Sequence, residues 1–177
     1  MQYSRSKTAG YTLVEVMVAV LVLSIGLAAL GLLQVSTVQN TYNSNNRAMA
    51  VMAAEAMADR VRANITGYEF GAYANLTAPG AAVACTPGAP CDPIAIAQAE
   101  YANWNQELAV NLPQGAGVLC MDGDDGDIND GEPGAPACGG GANVIKVFWR
   151  ESSSGAGANA NEQVENQWRV FGTPFFP

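Results

Sequence analysis

Lys7-Thr8-Ala9-Gly10-Tyr11-Thr12-Leu13-Val14-Glu15-Val16 opens an apolar run that organises the rest of the chain. From Val16 to Leu33 there are eighteen residues, and only Ser24 carries a polar side chain. No formal charge occurs between Val16 and Asn46. Eighteen apolar residues are about the minimum for a helix that crosses a membrane. Arg5 and Lys7 precede the run, so the positive-inside rule keeps that side in the cytoplasm and exports the part beyond the run. A secretory signal would carry its small-residue cleavage site after the apolar segment. Here Ala9-Gly10 come before it. Glu15 stands at the lip of the run, where a carboxylate is costly in a membrane unless it has a partner.

Composition narrows what the exported part can be. The chain has 177 residues and a net charge of -8, and residues 65–177 hold three basic against thirteen acidic residues. Nucleic acid is excluded as a partner, because displacing counterions needs a basic face. There is no histidine, which removes the commonest general base and the commonest metal ligand. No nucleophile elbow or phosphate-binding loop is present either, so an enzyme is not expected. Export brings an oxidising compartment, and four cysteines permit two disulfides. Sequence proximity favours Cys85–Cys91 and Cys120–Cys138 among the three connectivities.

The helix is expected to continue past the membrane. No proline occurs before Pro79. Val35, Val38, Tyr42, Met49, Met52 and Ala56 recur at helical intervals, with Met57 and Val61 beside them. Ala48 to Ala63 is rich in Ala, Met and Arg, which favour helix. Asn64 and Gly67 supply a stop. Gly26 and Gly31 are points where such a helix can bend or open.

The remainder reads as a loop-rich α+β head. Gly67 to Pro90 is dense in Gly, Ala, Pro, Asn and Thr, and is expected to be a long loop. Asp92-Pro93 is a helix start, with Asp92 as N-cap and Pro93 in the first turn. That helix should reach about Asn111 and bury Ile94, Ala97, Tyr101, Trp104 and Leu108. Strands are expected at Val118–Met121, Asn143–Glu151 and Asn166–Gly172. In the second of these, Ile145, Val147 and Trp149 share one face, and Lys146, Phe148 and Arg150 the other. Ser152–Asn161 is a connection. A small antiparallel sheet lying on the long helix satisfies this pattern.

Cys120 and Cys138 flank Asp122, Asp124, Asp125, Asp127, Asn129, Asp130 and Glu132. Hard oxygen ligands at alternating positions suit Ca²⁺, with Asp122, Asp124, Asp125, Asp127 and Asn129 as the candidate set. The EF-hand pattern fails, because its glycine position holds Asp130 and its twelfth position Pro136. A solvated acidic loop, stapled by Cys120–Cys138, is the other reading. No other cofactor is expected, and the cysteine spacing does not suit zinc.

The segment Lys7–Val16 resembles the class III signal of type IV pilins and pseudopilins. The resemblance implies a leader at 1–10, cut by a prepilin peptidase between Gly10 and Tyr11, with methylation of the new Tyr11 amine. Most members have Phe where this chain has Tyr11. It further implies a spine helix whose residues 11–34 serve as membrane anchor and later as filament core, an amphipathic half at 35–64, and a periplasmic head at 65–177. This is an α+β pilin-like fold with disulfide-stapled loops. Glu15 would be an assembly residue, facing a neighbour's amino terminus in the fibre core. Ala54–Asn64, Asp92–Leu112 and Val144–Glu151 resemble PilV-type minor pilins, the type IV pilus modification protein family. The expected role is therefore a non-enzymatic minor pilin in an inner-membrane priming or tip complex that initiates pilus assembly. Its partners would be other minor pilins, the major pilin, the inner-membrane assembly machinery and a tip adhesin. A minor pseudopilin of type II secretion shares the same signal and spine. A periplasmic enzyme on a single-span anchor is the reading that Glu15 and the missing histidine argue against.

Overall fold

The computed structural model describes residues 10–80, 85, 86, 88, 90–123, 126–151 and 167–176. The chain forms two compact units, Met1–Asn40 and Thr41–Pro177. One helix, α1 (Leu13–Ala63), contributes to both.

In the first unit the reasons for helix are local. Thr12 caps the start: the Glu15 amide donates to both its carbonyl (3.1 Å) and its hydroxyl (3.3 Å). No proline or charge interrupts the later turns of this unit, and the helix runs unbroken through Gly26 and Gly31. Two hydroxyls in this stretch, those of Ser24 and Thr37, are satisfied by their own backbone. Ser24 Oγ donates to the Val20 carbonyl (2.7 Å) and Thr37 Oγ1 to that of Leu33 (2.9 Å). That is how a hydroxyl is accommodated where no water is present. The apolar side chains from Leu13 to Leu30 are exposed, and α1 is long and apolar enough to cross a membrane.

In the second unit the same helix supplies one wall of a core. Its buried stripe is Ala50, Ala54, Met57, Ala58 and Val61. The stripe is displaced around the helix from the expected one. Met57 and Val61 are buried as expected, but Met52 and Ala56 are exposed, as are Val35, Val38 and Tyr42, and Ala50, Ala54 and Ala58 complete the contact face. Small residues let a neighbouring helix approach closely. Trp104 of α3 (Pro93–Asn111) reaches across to this helix, and its indole Nε1 donates to the Ala53 carbonyl (2.9 Å).

Asn64 ends α1 and begins α2 (Ile65–Glu69), a short helix where the sequence pattern suggests loop. Its Oδ1 accepts from the Gly67 amide (3.2 Å), while its Nδ2 donates to the Pro93 carbonyl (2.7 Å) and the Tyr73 hydroxyl (3.0 Å). Gly67 is required here, because a Cβ would collide with the Asn64 side chain and the Pro93 carbonyl. Helix α3 starts as expected, with Asp92 Oδ1 accepting from the Ala95 amide (2.7 Å). It buries Ala97, Tyr101, Ala102, Trp104 and Leu108. Ile94 is 45% exposed, contrary to expectation, since it lies in the first turn before the helix meets the core.

Three antiparallel strands complete the head: β1 (Ala116–Gly123), β2 (Gly141–Glu151) and β3 (Gln167–Pro174), with β2 central. Ile145, Val147 and Trp149 of β2 join Leu119, Phe175 and the helices in the main core. The opposite face is also covered. There Val118, Cys120 and Phe148 form a second cluster with Cys138, Trp168 and Val170. Two disulfides, Cys85–Cys91 and Cys120–Cys138, join the cysteines nearest in sequence. The Ser152–Asn161 connection lies outside the described residues.

The sheet's two edges differ. A β1 edge would normally expose unpaired backbone groups. Here the Gly117 amide donates to Asn105 Oδ1 (2.9 Å), and its carbonyl accepts from the Tyr101 hydroxyl (2.9 Å) and Asn105 Nδ2 (3.2 Å). Leu119 exchanges two bonds with Leu76, and the Met121 carbonyl accepts from Gly140. Burial pushes the Tyr101 phenol up to about 12, with the Asn105 hydrogen bond opposing. On β3, the Gly172 amide donates outward to Asn129 Oδ1 (2.9 Å).

Candidate processing site and the acidic loop

The processing motif occupies the entry to α1. Gly10 and Tyr11 precede the first helical turn and are exposed, Tyr11 at 83%. A peptide bond that a membrane protease must reach has to lie in such extended, accessible backbone, since helical hydrogen bonding would withhold it. The helix starts at Leu13, two residues later than the expected Tyr11. Thr12 and Glu15 stand in the Thr-x-x-Glu relation of a capping box. Its first half, Thr12 oxygen to Glu15 amide, is formed. Glu15 thus lies in the first turn, where the helix dipole favours an anion. Among the described residues no cation pairs with its carboxylate.

The acidic loop is built around a cation that belongs to the chain. Lys146, in the middle of β2, is 0% exposed. Its Nζ lies 2.6 Å from Asp122 Oδ2 and 2.7 Å from Asp130 Oδ1. The carbonyls of Pro136 (2.9 Å), Asp130 (3.3 Å) and Ala137 (3.4 Å) complete its surroundings. Asp122 is held on β1, where the neighbouring Cys120–Cys138 disulfide draws the loop back across the sheet. Gly172 of β3 admits the loop, since a Cβ there would collide with the Ile128 carbonyl.

Burial alone would raise the Asp122 carboxyl. The Lys146 ammonium and the amides of Gly123 and Gly139 outweigh it and hold the group below its ordinary value. Burial would likewise lower the Lys146 amine, and the Asp122 and Asp130 carboxylates instead hold it above its ordinary value. Both groups are therefore charged at neutral pH.

This bears on the five residues expected to bind Ca²⁺. Asp122 faces the Lys146 ammonium. Asp127 Oδ1 accepts from the Asn129 amide (2.9 Å), and Asn129 Oδ1 from Gly172. Asp124 and Asp125 lie outside the described residues. Among the described residues, no group of three His, Cys, Asp or Glu is placed to hold a metal ion. Sequence reasoning missed Lys146. The signal was available: it is one of only three cations in residues 65–177, and it alternates with apolar residues in the central strand.

A second polar cluster joins the helices of the head. The Tyr73 hydroxyl donates to Glu100 Oε2 (2.8 Å), and Arg60 pairs with Glu107 (2.8 Å). Burial, reinforced by Glu100, raises the Tyr73 phenol well above its ordinary value. Tyr73 therefore acts as a fixed donor that anchors the segment after α2.

A family model, the prokaryotic N-terminal methylation motif, matches residues 5–31. No curated protein and no solved structure matches the chain. The motif supports a prepilin of the type IV pilin or pseudopilin kind. With the exposed apolar helix it fits a single-span, membrane-anchored protein.

Proposed function

We propose that this protein is a non-enzymatic minor pilin of the PilV type, with its head in the periplasm. The observation that carries the reading is the order Gly10, aromatic Tyr11, Glu15 and uninterrupted apolar helix, within the matched residues 5–31. Prepilin peptidase cleaves between Gly10 and Tyr11 and methylates the Tyr11 amine. The apolar half of α1 holds the subunit in the inner membrane and then packs against other pilins. Glu15 pairs with a free amine, its own or a neighbour's, in that low-dielectric setting. The subunit joins other minor pilins in a priming or tip complex, on which the major pilin and a tip adhesin assemble.

Mass spectrometry of protein extracted from membranes tests the first step. The expected product begins at a methylated Tyr11. An intact leader, or a cut after the apolar run, overturns the reading. Deletion of the gene combined with piliation and secretion assays tests the second. Loss of pili with secretion intact supports the pilus role; the reverse assigns the chain to a type II secretion pseudopilus.

A further inference from the structure

The corner of the sheet formed by β2 and β3 presents groups that nothing among the described residues satisfies. Residues 65–177 contain three cations: Lys146, Arg150 and Arg169. Lys146 is buried between two carboxylates, and Arg169 Nε pairs with Glu151 (3.0 Å). Arg150 has no carboxylate among the described residues. Its guanidinium instead lies over the Trp168 ring, 4.8 Å from the centroid, and its Nε is buried without a hydrogen-bond partner. A desolvated guanidinium nitrogen with no acceptor is expensive in a strongly acidic protein that has carboxylates to spare.

The backbone beside it also lacks partners among the described residues. Gly172 sends its amide outward from β3, and along a strand alternate residues face the same side. Trp168 and Val170 therefore also direct their N–H and C=O groups to the outer edge, where no described residue pairs with them. Asn129 covers that edge at Gly172, whereas the β1 edge is covered at Gly117, Leu119 and Met121. Register places Trp168 opposite Arg150 and Val170 opposite Phe148, so Arg150, Trp168 and Val170 share one face. By lying across Trp168, the guanidinium reaches from β2 over a side chain of β3.

We propose that the β3 edge at Trp168 and Val170 takes an extended segment of another protein, whose carboxylate binds Arg150. Backbone pairing would extend the sheet by a strand, and the carboxylate would give the Arg150 guanidinium the ion pair it does not make among the described residues. Trp168 holds the guanidinium in place beforehand, which lowers the ordering cost of binding. The inference does not depend on the N-terminal motif.

The test uses the full chain in detergent micelles and two synthetic peptides, one of alternating valine and glutamate, the other of alternating valine and lysine. Hydrogen exchange at the Trp168 and Val170 amides is the readout. The glutamate peptide is expected to protect both amides, and the lysine peptide neither. Arg150→Gln should weaken the protection by about tenfold, the scale of a hydrogen bond to a charged group. Val170→Pro, which removes one outward N–H at an edge that tolerates proline, should abolish the protection of the Trp168 amide, the one that still reports. No protection by the glutamate peptide at millimolar concentration overturns the proposal. So does equal protection by both peptides, or protection that Arg150→Gln leaves unchanged. Protection that rises with protein concentration alone, without peptide, assigns the edge to a second copy of the chain and also overturns it.

Discussion

Glu15 and Lys146 are both charges set among apolar residues, and their surroundings differ completely. Lys146 is enclosed, with two carboxylates and three carbonyls around its ammonium. Glu15 is exposed, and the apolar helix it begins is exposed on all sides with it. The head has paired its buried Lys146 and enclosed Tyr73, Tyr101, Trp104, Phe148 and Trp149. The N-terminal unit has done neither. A buried charge with its partners in place contributes to one fold; an unpartnered charge on a bare apolar helix calls for a membrane or for other chains. The contrast separates a part whose core is closed from a part built to be completed.

The largest expected effect tests the complete half. Lys146→Met removes the ammonium and leaves the 1%-exposed Asp122 unpaired, so the head should lose about 3–5 kcal/mol in denaturant unfolding. Replacing Asp122 by leucine in the same chain should recover much of that loss, because the stranded carboxylate is then gone. The pH dependence has a definite sign at both ends. The Asp122 carboxyl is lowered, so its contribution is present above its ordinary value of 3.8 and is lost as pH falls through the lower folded value. The Lys146 amine is raised, so its contribution is present below 10.5 and is lost as pH rises through the higher folded value. Thermal melts should show a plateau between those limits. A melting temperature that changes steeply near neutrality would mean that the pair is not a lock on the fold.

Removing Cys120–Cys138 by paired alanine substitution comes next. The disulfide closes a separation of 18 residues, and its loss should cost about 3 kcal/mol. Cys85–Cys91, with a separation of 6, should matter less under the same measurement. If the order is reversed, the acidic loop is not held by the staple and Lys146 together. Calcium titrated to millimolar concentration sharpens the same point. With the Lys146 ammonium already placed between Asp122 and Asp130, the wild-type melting temperature should not move. A rise would put the ion among Asp122, Asp124, Asp125, Asp127 and Asn129 after all.

The same division governs how much of the molecule is legible in its sequence. The apolar helix is legible because membrane length, helix period and absence of charge all agree from Val16 onward. Strand β2 is legible from the alternation of Ile145, Val147 and Trp149 with its other face. What alternation cannot tell is whether that other face meets water. Here it meets the folded-back acidic loop, so Lys146 and Phe148 are buried. The loop's path depends on Gly172 and on a disulfide that spans 18 residues, neither of which has a periodic signature. The buried stripe of α1 differs from the expected one for a related reason. Met57 and Val61 do face the core, but Ala50, Ala54 and Ala58 share that face with them, whereas Met52 is exposed, so residue type alone does not reveal which side the head covers. Thr12-Leu13-Val14-Glu15 carries a helix-start pattern as well as a processing motif. The processing reading of those residues hides the structural one.

The N-terminal half is tested by an effect expected to be nearly absent. Glu15→Val removes a carboxylate that makes no ion pair among the described residues and lies outside the unit that contains the core. Head unfolding should therefore shift by less than about 0.5 kcal/mol, the usual range for a surface site without special contacts. Membrane insertion should be unchanged or improved, because the substitution deletes a polar group from an apolar helix. Leader removal should persist, since the bond cut lies before Tyr11. What should fall is the amount of protein in sheared pili, and with it pilus number, compared by immunoblot against the membrane fraction. That pattern, a stable and inserted subunit that fails to assemble, is what separates a residue waiting for a partner from one that holds its own fold. Wild-type levels in sheared pili would show that Glu15 needs no partner. Loss of head stability would show that the two units are energetically one.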